Sequence, residues 1–220
     1  MRSFDEIYQI SADRKGGADA IEKLLGSSYT TGPQGTTDDR WLSTMAKCVF
    51  QAGFNWKVVE SMWPGFERAF NNFDIGYCAM LNDEDFDRLV SDKSIVRHGT
   101  KIRSVQENAM FVASLAREHG SADKFFTSWP SEDFVGLLSL LKKNGSRLGG
   151  NTGQYFLRFM GVDGFILSAD VIARLIAEGV IDKAPTSQKA MTQVQNAFNK
   201  LSQESNRSLT QISRVLAMSL

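Results

Sequence analysis

Between Phe134 and Leu175 the chain carries the pattern that restricts its fold most, two amphipathic segments joined by a glycine-rich turn. Phe134, Leu137, Leu138, Leu140 and Leu141 enter the turn with helical spacing, and Tyr155, Phe156, Leu157, Phe159 and Met160 leave it in the same way. The intervening Arg147-Leu148-Gly149-Gly150-Asn151-Thr152-Gly153 is too rich in glycine to continue either helix. The pattern therefore predicts helix, tight turn, helix. Gly161 and Gly164 end the second helix. Ser168-Ala169-Asp170 then opens a third, Val171 to Glu178, with a side-chain oxygen at its N-cap. A turn of this kind exposes backbone N–H groups, and Lys142, Lys143, Arg147 and Arg158 flank it with positive charge. That combination suits a phosphate, so Arg147, Gly149, Gly150, Asn151, Thr152, Gly153, Lys142 and Lys143 are candidate DNA-binding residues. The alternative is a plain αα-hairpin.

The rest of the chain repeats the helical signal. Short helices are predicted over Phe4–Ile10 and Ala18–Leu25, and a Gly/Ser/Thr-rich loop over 27–37 divides them from the main body. A helix over Arg40–Phe54 is apolar around most of its circumference and should be buried. Trp56–Trp63 should end before Pro64, with a further helical stretch from Gly65 to Asn71. Asp83–Val90, the long run between His98 and His119, Ser121–Trp129, Gln188–Gln203 and Leu209–Met218 follow. Alternating strand patterns are scarce, so the predicted class is all-α. The predicted division is an N-terminal helical extension, 1–35, and a helical domain, 36–220.

The charges bound the partners. The 220 residues hold 25 Lys and Arg against 25 Asp and Glu, which excludes a histone-like coating of nucleic acid and leaves room for a local basic patch. Cys48 and Cys78 lie far apart and in no zinc-type spacing, so no disulfide framework and no metal finger is implied, and a reducing cytoplasm is the expected compartment. No leader-type apolar stretch and no run long enough to span a membrane is present, and no obligate protein partner is evident.

Three segments carry a family resemblance. Phe50-Gln51-Ala52-Gly53-Phe54-Asn55-Trp56, with Phe66 and Ala69-Phe70 after it, resembles the Gln-Ala-Gly-Leu-Ser-Trp signature of the DNA-3-methyladenine glycosylase I (Tag) family. Ile95-Val96-Arg97-His98-Gly99-Thr100-Lys101-Ile102, with Asn108-Ala109 beyond, is similar to that family's Ile-Arg-His-x-x-Lys-Ile run. Gly150-Asn151-Thr152 with Tyr155 stands where the family keeps Gly-Thr-Thr and a tyrosine. The resemblance implies a two-lobed, all-α helix-hairpin-helix glycosylase fold with a lesion pocket between the lobes. It implies duplex DNA with a damaged base as partner, and excision of alkylated purines as activity. The chain departs from the family in its metal and reading groups. The first thirty residues hold no Cys or His, and none follows His119, so the family's zinc ligands have no counterpart and neither metal nor cofactor is expected. In the same register the family's base-reading glutamate falls on Cys48. No lysine occupies the turn from Leu148 to Gly153, so strand-cleaving lyase chemistry is not indicated, and a monofunctional enzyme is expected.

An extruded base needs aromatic walls, and Trp56 matches the family's pocket tryptophan. Phe50, Trp41 and Tyr155 are plausible neighbours, with Cys48 beside them, although core packing explains Phe50 and Trp41 as well. Gln51 and Asn55 lie four residues apart and can read base edges from one helical face, unless they are capping residues. Asp170 is the candidate catalytic carboxylate, because superfamily members that hydrolyse the glycosidic bond place an aspartate at the start of the helix after the hairpin. There it stabilises positive charge on the sugar. The register leaves open whether Ser168 holds that position and Asp170 sits inside the first turn as a helix-dipole residue.

Overall fold

The computed structural model describes residues 1–26 and 35–220, and among them no strand occurs. The predicted loop over 27–37 thus falls, at 27–34, outside the described residues. In chain order the helices are α1 (Phe4–Lys15), α2 (Ala18–Gly26), α3 (Asp38–Gln51), α4 (Trp56–Ala69), α5 (Ile75–Ala79), α6 (Asp83–Ser91), α7 (Gly99–His119), α8 (Ala122–Thr127), α9 (Phe134–Asn144), α10 (Asn151–Phe159), α11 (Ala169–Ala177), α12 (Gln188–Ser205) and α13 (Leu209–Met218), with single 3₁₀ turns at Asn71–Phe73 and Ser131–Asp133. Local chemistry sets many of the ends. Ser3 with Glu6, Asn82 with Asp85 and Ser208 with Gln211 form capping boxes at α1, α6 and α13. Gly16 (φ 93°) and Gly120 (φ 87°) close α1 and α7 in the left-handed region that a side chain disfavours.

The helix expected to stop before Pro64 does not stop there. α4 runs through Pro64 to Ala69, because Trp63 and Phe66 on either side are both held in the core, their rings stacked 4.9 Å apart. Packing outweighs the missing N–H. The next residue, Gly65, is required by close approach, since a Cβ there would lie 2.2 Å from the Ser94 carbonyl oxygen.

The chain forms two compact units, and the division falls within α9, after Leu137. One unit takes Pro33–Trp129 and Leu138–Met160, of which the described part holds α3 to α8, the end of α9 and α10. Its core gathers Leu42, Ala46, Phe50, Val59, Phe66, Phe70, Phe73, Leu89, Ile102 and Val105. The other unit takes Met1–Gly32, Pro130–Leu137 and Gly161–Leu220. There Phe165 stacks on Phe198 (4.3 Å) and meets Phe134 edge-on (5.0 Å). α1 belongs to this unit through specific bonds, Ser11 Oγ donating to the Val215 carbonyl (2.9 Å) and the Phe4 N–H to Glu204 (2.9 Å).

A buried ion pair ties the same unit together. Arg174, 7% exposed, donates through Nη1 to Glu178 (3.3 Å), through Nε to Ser219 Oγ (2.7 Å) and through Nη2 to the Ser219 carbonyl. Arg2 donates to Glu178 from its backbone N–H (2.8 Å) and from Nη1 (2.6 Å). Burial pushes the Glu178 carboxyl up, but the bonds from Arg2 and Arg174 outweigh it and hold the group below the usual carboxylate range. The pair is therefore stabilising above the unfolded carboxyl pKa of about 4.3 and loses that contribution as pH falls through the lower folded value. Glu178→Leu strands Arg174 and should cost about 3–5 kcal/mol in urea unfolding at pH 7. The gap from wild type should narrow as the pH is taken below about 4.3.

Candidate functional site: an aromatic cavity beside a glycine turn

α3 stays helical only as far as Gln51. Ala52 leaves the helix and Gly53 takes φ 76°, a conformation open to glycine, so the chain turns and restarts as α4 at Trp56. This turn projects two aromatic side chains, Phe54 (41% exposed) and Trp56 (44%). The Trp56 ring stands edge-on to Tyr155 (5.3 Å between centroids) and Phe159 (6.1 Å) of α10. Between these elements lies a cavity of about 170 Å³, on the scale of one purine base, lined by Cys48, Gln51, Ala52, Gly53, Phe54, Trp56, Asn151, Thr152 and Tyr155. Cys48, Gln51, Trp56 and Tyr155, chosen from the sequence as pocket residues, come together here with Asn151 and Thr152 of the turn.

Three others do not line it. Phe50 is fully buried and packs edge-on against Phe66 at 4.5 Å. Trp41 is fully buried too, stacked on Phe126 at 4.8 Å and edge-on to Phe156 at 5.7 Å. Both are core residues of this unit rather than cavity walls, because α3 is covered on several faces and only its last turn opens to the cavity. Asn55 caps α4, its side chain accepting from the Lys57 N–H at 3.0 Å, since the break at Gly53 removes the helical spacing that would have aligned it with Gln51.

The turn between α9 and α10 is shaped by close backbone approach. A Cβ at Gly153 would lie 2.3 Å from the Leu148 carbonyl oxygen. Arg147 and Gly150 both take positive φ, 60° and 59°, and no side chain caps α10. Lys142, Lys143, Arg147, Gly150 and Asn151 are exposed around it, while Gly149 is half-buried against Lys142. Asp170 belongs to the other unit, exposed in the first turn of α11, where Ser168 is the N-cap and accepts from the Val171 N–H at 3.3 Å. The first turn, not the cap, is thus where the carboxylate sits.

Two α7 residues that hold this arrangement stand in the family-like run of the sequence, which gave them no role. Lys101, 3% exposed, donates to the Phe50 (3.1 Å) and Ala52 (2.6 Å) carbonyls and lies 4.3 Å over the Phe54 ring. It thereby satisfies carbonyls that α3 leaves open at its end. Burial, helped by the charge of Arg147, lowers its pKa. Two turns on, Asn108 exchanges a pair of hydrogen bonds with the backbone of Ser146, accepting from its N–H (2.7 Å) and donating to its carbonyl (3.1 Å). The available signal was polar residues on the apolar face of a long helix.

Chemically, the cavity offers π faces and neutral polar groups. Burial pushes the Cys48 thiol up to about 12, so it stays protonated near neutral pH and is neither a nucleophile nor a counter-charge. The family's zinc does not fit this chain, since no cluster of three His, Cys, Asp or Glu among the described residues is arranged to hold a metal.

Comparison with known proteins gives a family resemblance and a shared fold. The family model described as methyladenine glycosylase matches residues 32–136. DNA-3-methyladenine glycosylase 1 of Escherichia coli (strain K12) is 37% identical over 59 residues, which span 27% of this chain and 32% of that protein. The structure of 3-methyladenine DNA glycosylase I (TAG) from Staphylococcus aureus is similar with a TM-score of 0.54 at 21% identity, over 63% of this chain and 82% of that one. That of the Methanocaldococcus jannaschii 8-oxoguanine glycosylase/lyase in complex with a 15mer DNA is similar with a TM-score of 0.53 at 16% identity, over 96% and 95%. Over residues 32–136, then, this chain resembles the methyladenine glycosylase family, and its all-α fold is similar to those of Tag and of an 8-oxoguanine glycosylase.

Proposed function

We propose that the protein is a monofunctional DNA glycosylase that hydrolyses the N-glycosidic bond of an alkylated purine of the 3-methyladenine type in duplex DNA. The observation that carries this reading is the base-sized cavity walled by Trp56 and Tyr155 and continuous with Asn151 and Thr152 of the glycine turn. Extruding a base costs a few kcal/mol, least at damaged pairs. A purine alkylated on the ring carries positive charge, and an indole face attracts it by about 0.5–2 kcal/mol. The same charge weakens the glycosidic bond. When the bond between C1′ and the ring nitrogen breaks, its electron pair leaves with the base. Water adds hydroxide to C1′ and its proton passes to solvent.

The sugar is positive in between, and Asp170 is the carboxylate proposed to stabilise it. Lysine-based lyase chemistry has no candidate here, since the turn lacks lysine and Lys101 is held by two carbonyls. Duplex DNA as partner is in keeping with the DNA complex of the fold relative, and the exposed Lys142, Lys143 and Arg147 give the backbone contacts.

Incubation with methylated duplex DNA between about pH 6 and 8 should release the alkylated base, and Asp170→Asn should slow release by roughly 100-fold or more while DNA affinity is kept. A tight DNA complex with no release would overturn the enzyme reading in favour of a non-catalytic damage-binding protein. One observation favours that alternative: no carboxylate lines the cavity, and the neutral Cys48 stands there instead.

A further inference from the structure

We propose that Asn108 sets the phosphate grip of the glycine turn by acting as the positioning residue for Arg147. The inference rests on reading that turn as the DNA-binding element. Asn108 lies in α7, is 1% exposed, and directs both ends of its amide at one residue of the turn. Its Oδ1 accepts from the Ser146 N–H (2.7 Å) and its Nδ2 donates to the Ser146 carbonyl (3.1 Å). An amide offers a donor and an acceptor side by side, which a carboxylate or a hydroxyl of similar reach does not. The peptide planes before and after Ser146 are both held in this way, and the second of them carries the N–H of Arg147.

Arg147 needs such a clamp. Its φ of 60° lies in the left-handed region that a residue with a side chain disfavours, and a conformation of that kind persists only where its surroundings fix it. The residues on either side are anchored too. The Gly145 N–H donates to the Leu141 carbonyl (2.9 Å) at the end of α9, and Leu148 is 1% exposed. Between these anchors Arg147 is the exposed side chain, and among the described residues no carboxylate pairs with it. Its guanidinium is therefore open to a phosphate. Without Asn108 the Ser146 peptides can rotate. Arg147 then relaxes to an ordinary backbone conformation, which carries its head group away from the turn.

The test follows binding of an undamaged duplex oligonucleotide by fluorescence anisotropy over a series of NaCl concentrations, with the full chain and its Asn108→Ala, Arg147→Ala and double variants. Arg147→Ala should weaken binding by about 10-fold and reduce the slope of log affinity against log salt by about one, the signature of one lost phosphate contact. Asn108→Ala should do the same although it removes no charge. The double variant should bind no more weakly than either single one, because Asn108 acts through Arg147. A residue that only supports the fold would give losses that multiply, to about 100-fold, and would leave the salt slope alone. Asn108→Ser, a milder neutral change, is measured beside Asn108→Ala and should cancel against Arg147→Ala in the same way. Multiplying losses, a wild-type salt slope in the Asn108 variants, or loss of the fold in both of them would each overturn the role of Asn108 and leave the turn as the DNA-binding element. Wild-type affinity and slope in Arg147→Ala would remove the grip itself, and this inference with it.

Discussion

Trp56→Ala should lower base release from methylated duplex DNA by about 100-fold in kcat/KM and leave the fold in place. The two effects separate because of where the ring stands. Trp56 is nearly half exposed and touches the rest of its unit through edge-on contacts with Tyr155 and Phe159. Deleting it removes aromatic pairs worth about 0.5–1.5 kcal/mol each, some of which solvent exposure already offsets, so thermal unfolding should shift by only a few degrees. Stacking of a base on an aromatic ring contributes about 1–3 kcal/mol, and a cationic base adds the attraction of the indole face. Trp56→Phe keeps a π face and should recover most of the loss. Equal excision by Trp56→Ala and wild type would remove the indole from the site.

Trp41→Ala should have the opposite profile. Trp41 is fully buried, stacked on Phe126 and edge-on to Phe156, so the change opens a large cavity where α3 meets α8 and α10. Large-to-small changes of this kind cost about 3–5 kcal/mol. Urea unfolding should report a loss of that size, while base affinity per folded molecule stays within a few-fold of wild type. If Trp41→Ala instead weakened base binding as much as Trp56→Ala does, the division between core and cavity wall would be wrong.

These two tryptophans show what reading the chain alone can reach. Both sit in helices whose periodicity was plain, and both are large aromatics near a family signature, so either one suited a core or a pocket. What separates them is not local. Trp41 faces the side of α3 that α8 and α10 cover, whereas Trp56 follows the left-handed Gly53, past the end of α3, where Tyr155 and Phe159 meet its ring edge-on and leave it 44% exposed. The same break explains Gln51 and Asn55. Helical spacing would align them, but the helix ends at Gln51, leaving one amide at the cavity and turning the other into a cap. Lys101 and Asn108 were legible as part of a family-like run but not in their roles, since polar residues on an apolar helix face declare a function only when their partners, the carbonyls of Phe50 and Ala52 and the backbone of Ser146, are known.

By itself the sequence determined the all-α class, most helix ends, the glycine turn and the resemblance to methyladenine glycosylases, because these follow from periodicity, capping chemistry and short contiguous motifs. Only the tertiary structure decided which aromatics wall a cavity, that α4 continues through Pro64, and that the buried Gln51 amide oxygen has no partner among the described residues. Each of those depends on what packs against a face, and a sequence records which faces are apolar without recording what covers them.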